Sequence, residues 1–526
     1  MTPTERSGAL RTLLIAALIL ASAYGGVMLW RGLQRPESRL EPVACWFAAP
    51  ASRAVECYRF AVPESRGTAS NRRISFPVVI FRSPSTPVGE PPVLHLMGGP
   101  GQPAFIENDG QINAWVQFVD GAAWARDRDH VTIDVRGVGG LADPRLRCPQ
   151  LSDVEWLLSL DRLKDAPGGP EAEVRRQVAR CRDGFTREGV DLAAYDTAAT
   201  AADLIALRKA LKLPSWSIYA ISYGTRLAQE LMRRDPKGVH AAVLDSTSPL
   251  DVPTLAHLLP NLQHALDLLY ADCAAQAECA GAYPDLAGDM ARAVARFRDH
   301  PVTLTVTQPG GSKALSVPLT DGLYLQLVEL MLNSGDWVPF APGVINDAAN
   351  GGTKLLAHLA TGVVFDGYWQ NDANALLLST LCREEMPYNT EAALKQAVAA
   401  HPLLKNLEPE GMLRASCSAW PVGKAPAAFR KPVAGNVPAL LINGAYDTKT
   451  PPAYAERVAA NLTYAYRIVL RRRGHSPSVN DSCARAAIDA FLDAPLNPSA
   501  PDCIARQSPP RFPSRSGAAG RGIERA

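Results

Sequence analysis

The sequence lacks an excess of charge of either sign, because 54 Lys and Arg residues are balanced by 52 Asp and Glu residues in a chain of 526. Nucleic-acid-binding domains concentrate Lys and Arg on one face, so the net charge of +2 predicts that nucleic acid is not a partner. Disordered chains are poor in apolar residues. With 47% hydrophobic residues, the composition is that of a folded protein.

The sequence also lacks the cysteine spacings of a metal or redox site. Its 10 cysteines are scattered, with no CxxC pair, which zinc ribbons and thiol oxidoreductases require. We therefore predict no metal and no cofactor. The even number of cysteines favours disulfides, provided that the compartment is oxidising.

Long apolar runs are absent except for one at the N-terminus. The run from Thr12 to Trp30 follows Arg6 and Arg11, and its length is close to the ~20 residues that cross a bilayer. The tripeptide 21–23, Ala-Ser-Ala, resembles a signal-peptidase site. Residues 1–30 are thus either a cleaved signal peptide or an uncleaved anchor. Both predict an exported protein, periplasmic or extracellular, which an anchor would hold at the membrane.

The pattern of apolar residues divides the remaining chain into three parts. Short apolar runs alternate with helical stretches over residues 44–249, helical segments dominate 250–425, and strand patterns resume in 426–503. Strands alternating with helices predict an α/β protein with a mainly parallel sheet covered on both faces. The helical block is then a cap inserted before the last strands. Residues 31–43 are expected to be a tether, and 504–526 a disordered basic tail.

The segment 217–225, SIYAISYGT, carries the strongest chemical signal. An apolar strand leads into small-x-Ser-x-Gly, and a helical pattern follows. This is the pattern of a nucleophile elbow, in which a sharp turn lifts the serine above the sheet edge. We predict that Ser222 is a nucleophile, although Ala220 occupies the position where the usual pattern has Gly.

A second strand leads into the loop 98–101, Gly-Gly-Pro-Gly. A loop of this kind allows close approach of free backbone N–H groups, which an oxyanion hole requires. We predict that the backbone N–H groups of Gly99 and Tyr223 form this hole.

Two further loops each present one ionisable side chain after a strand. Asp447 follows the run 439–443, and His475 follows Gly474. A serine hydroxyl needs a base, and the base needs a partner that fixes its tautomer. In the chain order Ser, Asp, His, we predict that Asp447 and His475 complete a catalytic triad with Ser222.

These motifs resemble those of the α/β-hydrolase serine exopeptidases of the proline iminopeptidase and tripeptidyl aminopeptidase type. The resemblance extends from about Cys45 to Cys503, and the final block is similar to the C-terminal domain of the tripeptidyl aminopeptidases. The segments that carry it are 98–101 GGPG, 134–139 DVRGVG, 195–204 YDTAATAADL, 221–226 ISYGTR, 417–421 CSAWP and 447–452 DTKTPP.

The resemblance implies an α/β-hydrolase fold and an enzyme that cleaves short units from free peptide N-termini. Glutamates in the cap of this family hold the substrate ammonium, which makes Glu384 and Glu385 candidates here. Order and spacing suggest the disulfides, with other connectivities left open: Cys45–Cys57, Cys148–Cys181, Cys273–Cys279, Cys382–Cys417 and Cys483–Cys503.

The sequence thus predicts a serine hydrolase acting on peptides through an acyl-enzyme on Ser222. Two alternatives remain open at this point. A carboxylesterase or lipase would use the same triad with a wholly apolar pocket. A catalytically silent binding module would keep the fold without the chemistry. The sequence makes no prediction of oligomeric state.

Overall fold

A computed structural model describes residues 38–67, 71–84, 90–151, 166–307, 314–365, 373–407 and 410–513. The predicted signal or anchor segment 1–30 lies outside the described residues.

A twisted sheet of nine strands organises the described part of the chain, in the order β1-β2-β3-β5-β4-β6-β7-β10-β11. The pairs formed by β1, β2, β3 and β5 are antiparallel, whereas β5, β4, β6, β7, β10 and β11 are parallel neighbours. The strands are β1 Arg39–Val43, β2 Val55–Pro63, β3 Arg73–Phe81, β4 Val93–Leu96, β5 His130–Ile133, β6 Trp216–Ile221, β7 Val239–Asp245, β10 Ala439–Gly444 and β11 Ala465–Leu470.

Helices fill the connections. Before β7 they are α1 Asp109–Asp120, α2 Ala123–Arg126, α3 Pro170–Arg187, α4 Thr197–Ala210 and α5 Tyr223–Arg234. Between β7 and β10 they are α6 Leu258–Ala274, α7 Ala277–Ala282, α8 Leu286–Asp299, α9 Asp321–Asn333, α10 Ala341–Ala349, α11 Lys354–Phe365, α12 Asn374–Thr380, α13 Glu391–Ala400 and α14 Glu410–Ser418. After β10 they are α15 Pro452–Ala459, α16 Ser482–Asp493 and α17 Asp502–Ala505.

Both faces of the sheet are buried because successive side chains of a strand point to opposite sides. Ile218 of β6 belongs to the same buried cluster as Leu204 and Leu227 on one face, while its neighbour Tyr219 contacts Trp124 on the other, with ring centroids 4.7 Å apart. The predicted fold class, an α/β-hydrolase fold with a mainly parallel sheet and a helical insertion before the last strands, is confirmed.

The helical segment between β7 and β10 has a hydrophobic core of its own. It includes side chains of α6, α8 and α9 and one short antiparallel hairpin, β8 Val302–Thr307 with β9 Ala314–Leu319. Tyr446, from the loop after β10, is buried in this same core and donates a hydrogen bond from its hydroxyl to Asp272 of α6, over 2.6 Å. The insertion is therefore packed onto the end of the sheet that carries this loop.

Two predictions about the ends of the chain are wrong in part. Residues 39–43, expected in a tether, form β1, because the adjacent strand β2 offers an edge on which they complete the backbone hydrogen bonds. Residues 504–513, expected in a disordered tail, are ordered: Phe512 is buried in the core of the insertion, and Gln276 hydrogen-bonds both Pro510 and Phe512. A single aromatic anchor thus outweighs the polar composition of this stretch. Residues 514–526 lie outside the described residues.

Candidate active site

The turn after β6 carries Ser222 in a strained conformation. Its φ and ψ are 55° and −121°, which a non-glycine residue rarely adopts, and it directly precedes α5. Gly224 is required because a Cβ there would lie 2.5 Å from the carbonyl oxygen of Leu96. Ser222 therefore stands at the carboxyl edge of the sheet and at the N-terminus of a helix, where free N–H groups favour negative charge.

The loop after β4 lies against this turn. A Cβ built on Gly98 would be 3.2 Å from the Cβ of Ser222, and Gly99 has a φ of 105°, in the region that favours glycine. The register explains the proximity, since Leu96 of β4 is paired with Ala220 of β6. The backbone N–H groups of Gly99 and Tyr223 are thus on the two segments that meet at Ser222.

Asp447 and His475 are in direct contact. The Nδ1 of His475 lies 2.8 Å from Oδ2 of Asp447. Their loops are held together because Gly444 abuts the backbone of Arg473 and Gly474, and the N–H of Tyr446 donates to the carbonyl of Arg473 over 3.0 Å. The structure therefore brings together two of the residues that the sequence analysis predicted for the triad.

The end of β7 links this pair to the nucleophile turn. The N–H of Ser222 donates to the carbonyl of Asp245 over 2.9 Å, and the N–H of Ser476 donates to the hydroxyl of Ser246 over 2.7 Å. Ser222 is thus hydrogen-bonded to Asp245, and Ser476, the residue after His475, is hydrogen-bonded to the next residue, Ser246. The hydroxyl of Ser222 makes no hydrogen bond within the described ranges; such bonds are often loose before substrate binds.

The charges of the pair are coupled. Burial opposes ionisation of Asp447, but the neighbouring His475 and the hydrogen bonds of Thr450 hold the pKa of this carboxyl below its usual value. Burial would lower the pKa of His475, but the Asp447 carboxylate outweighs it and raises that pKa above the ordinary value. The imidazole is therefore a stronger base than a free histidine.

Thr450 is a site residue that the sequence analysis did not single out. Its hydroxyl donates to Oδ2 of Asp447 over 2.7 Å and lies 3.3 Å from Nδ1 of His475, while its N–H donates to Oδ1 of Asp447 over 2.7 Å. A threonine three residues after a loop aspartate is the local signal for such a side-chain-to-backbone turn.

Glu384 and Glu385 lie on a single π-helical turn, Leu381–Glu385, and both are buried. The negative charge of Glu385 is already balanced, because it forms ion pairs with Arg226 and Arg430 and accepts two hydrogen bonds from Thr254. Although burial opposes its ionisation, these partners hold the pKa of Glu385 below its usual value.

Glu384 has a different environment. Its oxygens accept from the N–H and the hydroxyl of Thr197, each over 2.7 Å, and it has no ion pair within the described residues. Burial raises the pKa of Glu384 to about 7. The hydroxyl of Tyr223 hydrogen-bonds that of Thr197 over 2.8 Å, which connects Glu384 to the residue next to Ser222.

A cavity of about 370 Å³ opens beside Glu384. Its other polar lining comes from Asp196, Glu230 and two arginines, and its apolar lining includes Phe429. Glu230 is paired with both arginines, 233 and 234, and Asp196 is paired with Arg383. Glu384 is thus the carboxylate of this lining whose charge lacks a direct ionic partner in the described part of the chain.

The fold and this site together define the class: the protein is a serine hydrolase with the α/β-hydrolase fold. Residues 409–503 match the family model described as Abhydrolase_4, TAP-like protein. The chain is similar to the serine protease Hip1 of Mycobacterium tuberculosis, with 24% identity over 381 residues, covering 69% of this chain and 72% of the relative. Hip1 of Mycobacterium bovis is similar to the same extent.

Among solved structures, the chain is similar to a proline iminopeptidase from Mycobacterium smegmatis, with 15% identity, a TM-score of 0.37 and coverage of 82% of this chain and 97% of that one. A thermophilic esterase from Thermogutta terrifontis is similar with 13% identity, a TM-score of 0.33 and coverage of 82% and 97%.

All ten cysteines form disulfides in the pairs that order and spacing suggested, with Cα–Cα distances between 5.1 and 5.9 Å. Disulfides persist in oxidising compartments, so these five pairs indicate an exported protein. In the described ranges, no helix combines the length and the apolarity needed to cross a bilayer.

Proposed function

We propose that this serine hydrolase is a peptidase that removes short units from free peptide N-termini. The contact between His475 and Asp447 beside the strained turn of Ser222 is the observation that carries the chemistry. The similarity to a serine protease supports peptides as the substrates.

In the proposed reaction, the hydroxyl oxygen of Ser222 attacks the scissile carbonyl carbon while Nε2 of His475 takes its proton. Asp447 keeps the imidazole in the tautomer with a proton on Nδ1 and stabilises the imidazolium. The N–H groups of Gly99 and Tyr223 donate to the developing oxyanion. The C–N bond then breaks, and His475 gives its proton to the leaving amine. In deacylation, a water molecule attacks the acyl carbon while His475 takes one of its protons; the ester bond to Ser222 then breaks, His475 returns the proton to the serine oxygen, and the carboxylic acid product leaves.

Specificity for a free N-terminus rests on Glu384 rather than on Glu385. An ammonium group in the cavity would give Glu384 the ionic partner that it lacks, whereas Glu385 already has two. A charge-assisted hydrogen bond in a partly buried site is stronger than one between neutral groups. Of the two glutamates that the sequence predicted to hold the substrate ammonium, the proposal therefore keeps only Glu384.

For localisation, we propose that residues 1–30 direct export, to the periplasm or the cell exterior, as a cleaved signal or as a membrane anchor. The apolar run from Thr12 to Trp30 and the five disulfides support this proposal.

The experiment is product analysis by mass spectrometry on a short peptide with a free N-terminus and on the same peptide N-acetylated. We expect the enzyme to release an N-terminal fragment from the free peptide and little from the blocked one, and Ser222→Ala to release none. Equal rates on both peptides would remove the exopeptidase proposal. Rapid hydrolysis of acyl esters with neither peptide cleaved would indicate the esterase instead.

A further inference from the structure

The last residue of α9, a helix of the insertion, contacts both loops of the acid–base pair. The side chain of Asn333 accepts from the N–H of Thr448 over 3.0 Å and donates to the hydroxyl of Thr448 over 2.8 Å. Its backbone carbonyl accepts from the N–H of His475 over 2.7 Å. Asn333 therefore holds two residues in place: Thr448, which follows Asp447, and His475.

Two further features show that this contact is built closely. A Cβ on Gly474 would lie 2.2 Å from the carbonyl oxygen of Leu332 and 2.4 Å from that of Asn333, so no larger residue fits between the helix and the histidine loop. One turn earlier on α9, the buried Glu329 accepts from the hydroxyl of Thr448 over 3.0 Å and pairs with Lys449 over 2.8 Å.

We infer that Asn333 is a positioning residue, through which the insertion sets the geometry of the His475–Asp447 pair. The inference rests on the proposed function in that it takes Asp447 and His475 as the acid and base of the reaction.

The physical reason lies in the end of the helix. The last four carbonyl groups of an α-helix have no partner within the helix. At the end of α9, the backbone carbonyl of Asn333 accepts a hydrogen bond from the N–H of His475. The side-chain amide of Asn333 hydrogen-bonds both the N–H and the hydroxyl of Thr448. A shift of the helix end would therefore move both loops, and a change in the Asp447–His475 distance changes how strongly the carboxylate supports the base.

The test replaces the side chain of Asn333 and measures reactions that depend on His475 as the base. Asn333→Ala removes both side-chain bonds to Thr448. We expect kcat, and the rate at which a fluorophosphonate labels Ser222, to fall by about 10-fold, as for loss of one or two hydrogen bonds in a positioned network. KM for the free peptide should change little, because Asn333 is not in the cavity beside Glu384.

The pH profile separates positioning from stability alone. The charged groups that face His475 are Asp447 and, more distantly, Asp245 and Lys449. If the contact with Asp447 loosens, the acidic limb of the labelling-rate profile should move to lower pH in Asn333→Ala. Asn406→Ala is the matched control, since it removes an amide hydrogen bond of 2.8 Å to Asp321 at the opposite end of the same helix, and its profile should match the wild type.

Thr448 supplies a second pair of variants in case Asn333→Ala folds poorly. Thr448→Val removes the hydroxyl at nearly constant shape and should reproduce the lower labelling rate and the shifted limb, whereas Thr448→Ser keeps the hydroxyl and should restore both. A lower melting temperature with an unchanged labelling rate and limb in Asn333→Ala or Thr448→Val would overturn the inference. Because labelling needs no peptide, this result is distinct from failure of the wild type to cleave peptides.

Discussion

The carboxylate of Asp447 accepts four hydrogen bonds, from the N–H groups of Lys449 and Thr450, the hydroxyl of Thr450 and the imidazole of His475. A carboxylate with this many donors stays ionised even when buried. It can therefore hold one tautomer of His475 and stabilise the imidazolium without accepting the proton itself. At the scale of single residues, the proposed chemistry depends on a short local turn as much as on the three residues proposed as the triad.

The hydroxyl of Thr450 is the first element of this turn to test. Thr450→Val should lower kcat by about 10- to 100-fold, because a hydrogen bond to a charged group contributes about 1.5–3 kcal/mol. Thr450→Ser should retain most of the activity. Steady-state kinetics of the two variants measure this difference. Thr361→Val, which removes a hydroxyl that donates to the helix carbonyl of Ala357, is the control. Full activity in Thr450→Val would contradict the assigned role.

The raised pKa of His475 gives the reaction a defined pH dependence. The base works only when neutral, so activity is present above this pKa and is lost as the pH falls through it. Fluorophosphonate labelling isolates this group, because the reagent carries no ammonium. We expect Asp447→Asn to label far more slowly and to move the limb to lower pH; a limb unmoved by that substitution would argue against the coupling.

Glu384 predicts a second, separate effect of pH. Its pKa of about 7 means that the carboxyl is charged above that pH and neutral below it. KM for a substrate with a free N-terminus should therefore rise as the pH falls below about 7. Glu384→Gln should raise KM by about 10- to 100-fold and abolish this dependence, with a smaller effect on kcat. An unchanged KM in Glu384→Gln would exclude it as the amine site.

At the scale of elements, the carboxyl ends of parallel strands collect the site. Asp245 of β7 is paired in register with Ile221 of β6 on one side and Ile442 of β10 on the other. The nucleophile turn and the Asp447 loop must therefore leave the sheet at the same edge, which is where open α/β sheets place their ligands.

This edge explains what could be predicted from the sequence. The strands that end there, such as β4, β6, β7 and β10, are buried on both faces, so each is a short apolar run in the sequence. The apolar run 439–443, for example, corresponds to β10, Ala439–Gly444. β1 and β2 do not stand out in the sequence. β1 has no buried residue, and the three buried residues of β2, Cys57, Phe60 and Val62, are separated by partly buried ones, so neither strand is a continuous apolar run. The catalytic roles of Ser222, Asp447 and His475 stay predictions.

The contacts of Asn333 and Glu385 could not be predicted either. Asn333 lies more than a hundred positions from Thr448 and His475, and nothing local to it indicates which loops the end of α9 meets. The ion pairs of Glu385 with Arg226 and Arg430 likewise join three separate elements. Pairing at such distances is a property of the tertiary structure and leaves no local pattern.

The close approach of α9 to the histidine loop makes a prediction at this scale. Gly474→Ala places a Cβ against two backbone carbonyls that cannot move independently of the helix. We expect a large loss of labelling rate with the circular dichroism spectrum retained. Gly281→Ala is the control, because a Cβ there meets nothing within 4 Å, and it should leave the rate unchanged. Equal rates in the two variants would show that the approach is not needed.

At the scale of the whole molecule, each disulfide joins two segments of the same part of the fold: either both segments belong to the insertion or both belong to the α/β core. The Cys382–Cys417 bond joins the π-helical turn that carries Glu384 to α14, whereas Cys483–Cys503 lies at the end of the chain. Each bond is expected to stabilise the fold by about 2–4 kcal/mol. Their functional effects should differ because only the first holds the segment that we propose binds the substrate amine.

Removing each bond by a double substitution to alanine tests this difference. Both double variants should lower the melting temperature. Only Cys382→Ala with Cys417→Ala should also raise KM for the free peptide, whereas Cys483→Ala with Cys503→Ala should leave KM unchanged. A KM unaffected by the first pair would show that the turn keeps its position without the bond.

The most direct test of the account is to map the site at which a fluorophosphonate modifies the wild-type protein by peptide mass spectrometry. We predict a single adduct on the Ser222 peptide, formed slowly in His475→Ala and absent in Ser222→Ala. An adduct on another serine, or no adduct at a pH well above the histidine limb, would contradict the claim that these separate loops form one reactive centre.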